Sequence, residues 1–79
     1  MKLQNKQTMD TIDKIIAYES GMLDGAEMVY MFSELVKNGS AWSLQGHYGR
    51  MASRLIEVGI LTKDGDIDEM RAIEYGINM

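Results

Sequence analysis

Apolar residues recur at helical spacing in several stretches of this chain, and the gaps between them hold the residues that stop helices. Met9, Ile12, Ile15 and Ile16 predict a first helix over about residues 9–20, with Thr8 as its cap and Gly21 as a left-handed terminator. Asp24 stands three residues before Glu27, as in a capping box, and opens a second helix over Gly25–Lys37 that ends at Asn38-Gly39. The run Met28-Val29-Tyr30-Met31-Phe32, continued by Leu35 and Val36, spreads apolar surface over more than half the circumference of that helix. Such a helix must be covered on both sides, either by the other helices of one chain or by a homodimer seam.

Ser40 can cap a third helix over about residues 41–58, which stops at Gly59. Wound as one rod it has three strips. Leu44, Tyr48, Met51, Leu55 and Val58 form a core edge; Trp42, Gly46, Gly49 and Ser53 lie nearly opposite; His47, Arg50, Arg54 and Glu57 line one flank. The pattern favours a continuous helix, while the two internal glycines, which cost about 2 kcal/mol relative to Ala, favour a break or kink at Gly46 or Gly49. Beyond it, Asp64-Gly65 is a tight-turn signal, and pairing of Ile60–Thr62 with Ile67 would make a minimal hairpin near residues 60–67. Asp66 and Glu69 offer another cap-like start, for a closing helix over about 67–75 that stops at Gly76. The expected fold is all-α: three to four short helices in a small bundle, one domain over residues 1–79, with residues 1–7 as a flexible N-terminus.

Composition narrows the chemistry. With 79 residues the chain can bury only about 60% of its unfolded surface, so its core is marginal without a staple. It has no cysteine and a single histidine, which excludes disulfides and thiol catalysis and argues against multi-histidine metal sites. No metal site and no cofactor is expected, and oligomerisation is left as the staple. Residues 1–7 contain Lys2 and Lys6 and no apolar run, so neither a signal peptide nor a membrane span is expected, and the cytoplasm is the expected location.

The net charge of −4 is unevenly placed. Residues 9–38 carry six acidic and two basic side chains, and residues 64–79 carry five and one. Between them, Arg50, Arg54 and Lys63 face only Glu57, so an anionic partner would be drawn to the middle of the chain. The eight methionines read as adaptable core filler, or as contact surface where exposed.

Asp64, Asp66 and Asp68 are spaced as at the start of a calcium loop, but Glu69 stands where glycine is needed and Tyr75 where a bidentate carboxylate is needed. Gly46-His47-Tyr48-Gly49 has the glycine bracketing of phosphate loops, yet it lacks a preceding strand and a Walker lysine. Gly46, Gly49 and Ser53 read more simply as a close-packing strip that another helix could approach. His47 has no marked nucleophile or paired carboxylate beside it, so catalysis is not expected. The candidate binding residues are Trp42, Gln45, His47, Tyr48, Arg50 and Arg54, a set suited to an anionic or phosphate-bearing partner.

The segment Ala41-Trp42-Ser43-Leu44-Gln45-Gly46-His47-Tyr48-Gly49-Arg50, followed by Ala52 and by Leu55-Ile56-Glu57 and Gly59, resembles a family of small tailed-bacteriophage proteins of unknown function. Tyr18-Glu19-Ser20-Gly21 and Phe32, Glu34-Leu35-Val36 and Gly39 also fit its pattern, so the resemblance covers about residues 17–61; Met51 stands where that pattern has threonine. The resemblance implies a phage product acting in the cytoplasm of an infected bacterium. Taken with the absence of a catalytic constellation, it leads to the expectation of a non-enzymatic protein, a homodimer, that modulates a host protein or defence system by binding. The alternative is a site for a nucleotide or nucleic-acid phosphate on the Gln45–Arg50 segment. A DNA-reading helix-turn-helix ranks last, because both flanking segments are acidic.

Overall fold

A computed structural model describes residues 11–44 and 46–79. Helix α1 (Thr11–Glu19) turns Ile15 and Tyr18 toward the core and leaves Ile12 and Ile16 exposed, so only part of its expected apolar series is buried. The proposed cap Thr8 and the first apolar position Met9 lie outside the described residues.

Helix α2 (Gly25–Lys37) has the expected bounds and a complete capping box. The Glu27 N–H donates to Asp24 Oδ1 at 2.8 Å, and the Asp24 N–H donates to Glu27 Oε1 at 3.0 Å, so two backbone donors that the first turn leaves free are satisfied. Much of its wide apolar face is covered by its own chain: Val29, Met31, Phe32 and Leu35 have no exposed surface, while Met28 is partly buried and Tyr30 is 48% exposed. α1 packs on one side of α2, and a 3-10 turn (Ser40–Trp42) packs on another. Most of the required cover thus comes from within the chain, and Tyr30 is the part of the expected apolar run that it leaves open.

The single rod expected over residues 41–58 is not formed. The 3-10 turn is closed by Trp42 N–H to Gly39 O at 3.2 Å and Ser43 N–H to Ser40 O at 3.0 Å, and a separate helix α3 (Gly46–Glu57) follows. The break lies where the glycine cost placed it, just before Gly46. It lets the turn fold back on α3: a Cβ on Gly49 would lie 3.4 Å from the Ala41 carbonyl oxygen and 3.8 Å from the Trp42 ring. The core edge changes accordingly. Tyr48 and Leu55 are buried as expected, Met51 and Val58 only partly, Leu44 is 36% exposed, and Ala41 and Ala52 are fully buried instead.

After α3 the chain makes one antiparallel bridge, Leu61 to Ile67, the minimal hairpin expected at residues 60–67. Its turn is held by Thr62: the backbone N–H donates to Asp66 O at 2.8 Å, and the hydroxyl accepts from the N–H groups of Asp64 and Asp66. Gly65, at φ +93°, is pressed onto α2, where its carbonyl accepts the buried Ser33 hydroxyl at 2.5 Å. Helix α4 (Glu69–Glu74) is shorter than the expected 67–75. Its cap is Asp68, whose Oδ1 accepts from the Arg71 N–H at 3.0 Å, and not Asp66, which is drawn into the turn and toward Lys37 Nζ at 3.6 Å. Gly21, Gly39, Gly59 and Gly76 all take the positive φ that the terminator reading requires.

Candidate functional site

Two faces of α3 carry the chemistry. The inner flank is an aromatic corner. Tyr48, from the first turn of α3, lies against Tyr18 of α1 and Phe32 of α2, with ring centroids 5.8 and 6.1 Å away, and Tyr18 meets Phe32 edge-on at 5.6 Å. The Tyr48 hydroxyl donates to the Glu19 carboxylate. Burial, then the hydrogen bond to Glu19 and the nearby negative charge, push the Tyr48 phenol from 10.0 up to about 12, because ionisation would place a second anion in an apolar site. Tyr18 is shifted in the same direction by burial and by Glu19. His47, exposed on this flank, stacks beside Tyr18, and its Nε2 lies 2.6 Å from the Tyr18 hydroxyl. With the proton on Nδ1, the hydroxyl donates to Nε2. These contacts tie α3 to α1 and occupy both His47 and Tyr48.

The outer face is different. Trp42 from the 3-10 turn and Gly49, Arg50, Ser53, Arg54 and Glu57 from α3 line an open groove of about 410 Å³. Gly49 and Ser53, having little or no side chain, form its floor; the indole of Trp42, 53% exposed, stands at one end, and Glu57 lies on the last turn of the helix. Arg50 and Arg54 are one turn apart and, among the described residues, pair with no carboxylate. The ion pairs lie elsewhere: Lys14 to Glu34 at 3.0 Å, Lys37 to Asp66 at 3.6 Å and Arg71 to Glu74 at 3.6 Å. Two exposed guanidiniums, an indole face and a hydroxyl can together hold carboxylate or phosphate oxygens with an apolar or aromatic group beside them.

The candidate binding residues therefore divide. Trp42, Arg50 and Arg54 are brought together in the groove, whereas His47 and Tyr48 face the aromatic corner; Gln45 lies outside the described residues. Of the close-packing strip, Gly49 and Ser53 floor the groove, and what approaches Gly49 is the chain's own 3-10 turn in place of another helix. Gly46 is exposed, with Arg50 Nη1 at 3.0 Å from a Cβ placed there. The roles of Tyr18, Glu19 and Ser33 were not read from the sequence, although Tyr18 three residues after Ile15 sits where a helix returns to the same face. No cluster of acidic or histidine side chains that could hold a metal is present among the described residues, and no helix among them is long and apolar enough to cross a membrane.

The chain is thus a small all-helical domain with a cationic, tryptophan-bearing groove on the outside of its third helix. It belongs to the family DUF7417, a domain of unknown function, which matches residues 6–75. No curated protein and no solved structure matches it.

Proposed function

We propose that this chain is a small non-enzymatic interaction protein of a tailed bacteriophage, which acts in the host cytoplasm by binding a host protein through the groove on α3. The observation that carries this reading is the convergence of Trp42, Arg50 and Arg54, with both arginines unpaired among the described residues, on a surface open to solvent. Tryptophan and arginine are the side chains most often dominant in protein contacts, and a groove of this openness suits a protein segment better than a small ligand, which needs most of its surface enclosed. Catalysis draws no support from the geometry: the single histidine is bonded to Tyr18 and is not part of the groove. The phage assignment rests on the resemblance over residues 17–61.

The test is a pull-down from bacterial lysate with wild type beside Arg50→Glu, both checked for equal helicity. A host protein retained by wild type, lost with the variant and cross-linked near Trp42 supports the reading. Equal capture of every retained protein by both baits refutes it. The two guanidiniums beside an indole, unpaired among the described residues, also favour a second reading, a nucleotide or nucleic-acid phosphate as ligand. Trp42 is the sole tryptophan, so its emission reports directly on groove occupancy during nucleotide and oligonucleotide titrations.

A further inference from the structure

A second unexplained surface lies on α4. Ala72 is buried beneath the helix, and the opposite side leaves Met70 71% exposed and Ile73 52% exposed. At about 100° per residue, Glu69, Ile73, Met70 and Glu74 follow one another across this outward face, so two bare apolar side chains are bracketed by two carboxylates. The segment that carries the face is acidic, with five carboxylates and one arginine over residues 64–79. The groove on α3 has a largely inverse arrangement: a half-exposed indole beside two guanidiniums that pair with no carboxylate among the described residues, with one carboxylate, Glu57, on the last turn of the helix. The chain thus presents both halves of one complementary contact.

We propose that the occupant of the groove is α4 of a second copy of this chain, with Met70 and Ile73 against Trp42 and with Glu69 and Glu74 toward Arg50 and Arg54. Given reciprocally, two such contacts close a two-fold dimer, in which each copy offers one groove and one α4 face. The apolar pairs supply the attraction, and the charges fix the register and speed the encounter. A domain this small, whose own core is marginal, gains its staple from this contact. The inference rests on the reading of the groove as a contact surface and goes beyond it, because self-association would then compete with any host partner for Trp42.

Sedimentation velocity across micromolar concentrations, at low and at high salt, tests it, with Trp42 emission followed over the same dilution series. Wild type is expected to shift from monomer to dimer as concentration rises, with a blue shift of the emission and with weaker association at high salt. Arg50→Glu with Arg54→Glu, and separately Glu69→Arg with Glu74→Arg, are each expected to weaken the dimer by about tenfold or more, since each turns attraction into like-charge opposition. All four side chains are exposed; Glu74→Arg also removes the surface ion pair with Arg71, so equal helicity of each double variant is checked by circular dichroism before the comparison. Mixing the two double variants restores one complementary contact and is expected to return a heterodimer. A wild type that stays monomeric to high micromolar concentration at low salt overturns the proposal. So does a dimer indifferent to both double variants, or one whose formation leaves Trp42 emission unchanged. The host-binding reading is judged apart from this by the pull-down run with nanomolar bait, where the dimer is dissociated.

Discussion

Replacing Gly65 with alanine isolates the contact that seats the hairpin, and with it α4, on the body of the domain. At φ +93° an alanine is strained by about 1–2 kcal/mol. Space adds more: the new Cβ would lie 2.7 Å from Lys37 Cγ, 2.9 Å from the Ser33 carbonyl oxygen and 3.2 Å from the Lys37 nitrogen. The Lys37 side chain can swing away, but the other two atoms are α2 backbone and cannot. The turn must therefore lift, which disrupts the bond from the Ser33 hydroxyl to the Gly65 carbonyl, a further loss of about 1 kcal/mol. Displacing packed neighbours typically adds about 1–3 kcal/mol, so Gly65→Ala is expected to lose about 3–6 kcal/mol. For a domain of this length that is a large part of a total near 4–12 kcal/mol, and the melting temperature should fall by more than about 12 °C. Urea and thermal unfolding followed by circular dichroism read it out. The control is Gly21→Ala, which shares the left-handed backbone, at φ +74°, but meets nothing within 4 Å, and should lose only the strain. Equal losses for the two variants would refute the claim that the hairpin turn is pressed against α2.

Other consequences are smaller in scale. Asp24→Ala removes the side-chain half of the α2 capping box and should cost about 1 kcal/mol in urea unfolding, with the helical signal retained. The Tyr48 phenol titrates near 12 in the fold against 10.0 as its ordinary value, so the stability held by its neutral form is fully present below about pH 10 and drains away as pH rises toward 12. Tyr48→Phe should flatten this alkaline loss without abolishing it, because Tyr18 is shifted in the same direction; an unchanged slope in pH-dependent melting would count against the Glu19 contact. Gly49→Ala should be tolerated or stabilise α3 by up to about 1 kcal/mol, since its Cβ would meet Ala41 O at an ordinary 3.4 Å; a loss beyond that amount would mean the 3-10 turn needs closer approach than this.

How far the sequence discloses the fold can be followed residue by residue. The bounds of α2 are legible because both ends carry chemistry that works locally: Asp24 and Glu27 satisfy each other's backbone, and Gly39 accepts the left-handed turn. The cap of α4 is less so, because Asp66 and Asp68 are both suitable acids, and the choice is made by the Thr62 hydroxyl, which gathers the Asp64 and Asp66 backbone into the turn. Periodicity misleads over residues 41–44. Leu44 has the right spacing for a core edge only if the helix is unbroken; the break leaves it 36% exposed, buries Ala41 instead, and moves Gly46 from a helix interior to the first position of α3, while Gly49 stays within the helix. The candidate site was half legible for the same reason: Arg50 and Arg54 share a face through local spacing, whereas the pairing of His47 with Tyr18 and of Tyr48 with Glu19 depends on how α1 lies across the fold.

The break in the third helix ties these observations together. In an uninterrupted rod over residues 41–58, Trp42 would extend along the helix axis, a full turn ahead of Gly46, with no surface to lean on. Folding the segment into a 3-10 turn buries Ala41 and brings the Trp42 ring beside Gly49, at a distance that even a Cβ there would meet as ordinary contact. The same fold directs Tyr48 into the core beside Phe32 and Tyr18, which fixes the rotation of α3 about its axis and leaves Arg50 and Arg54 outward. The aromatic corner is therefore the positioning device and the groove its product. A change at Tyr48 or Tyr18 should act on the binding proposed for the groove through the orientation of the arginines and lower helicity or melting temperature with it, while a change at Arg50 or Arg54 should act on that binding with both unchanged.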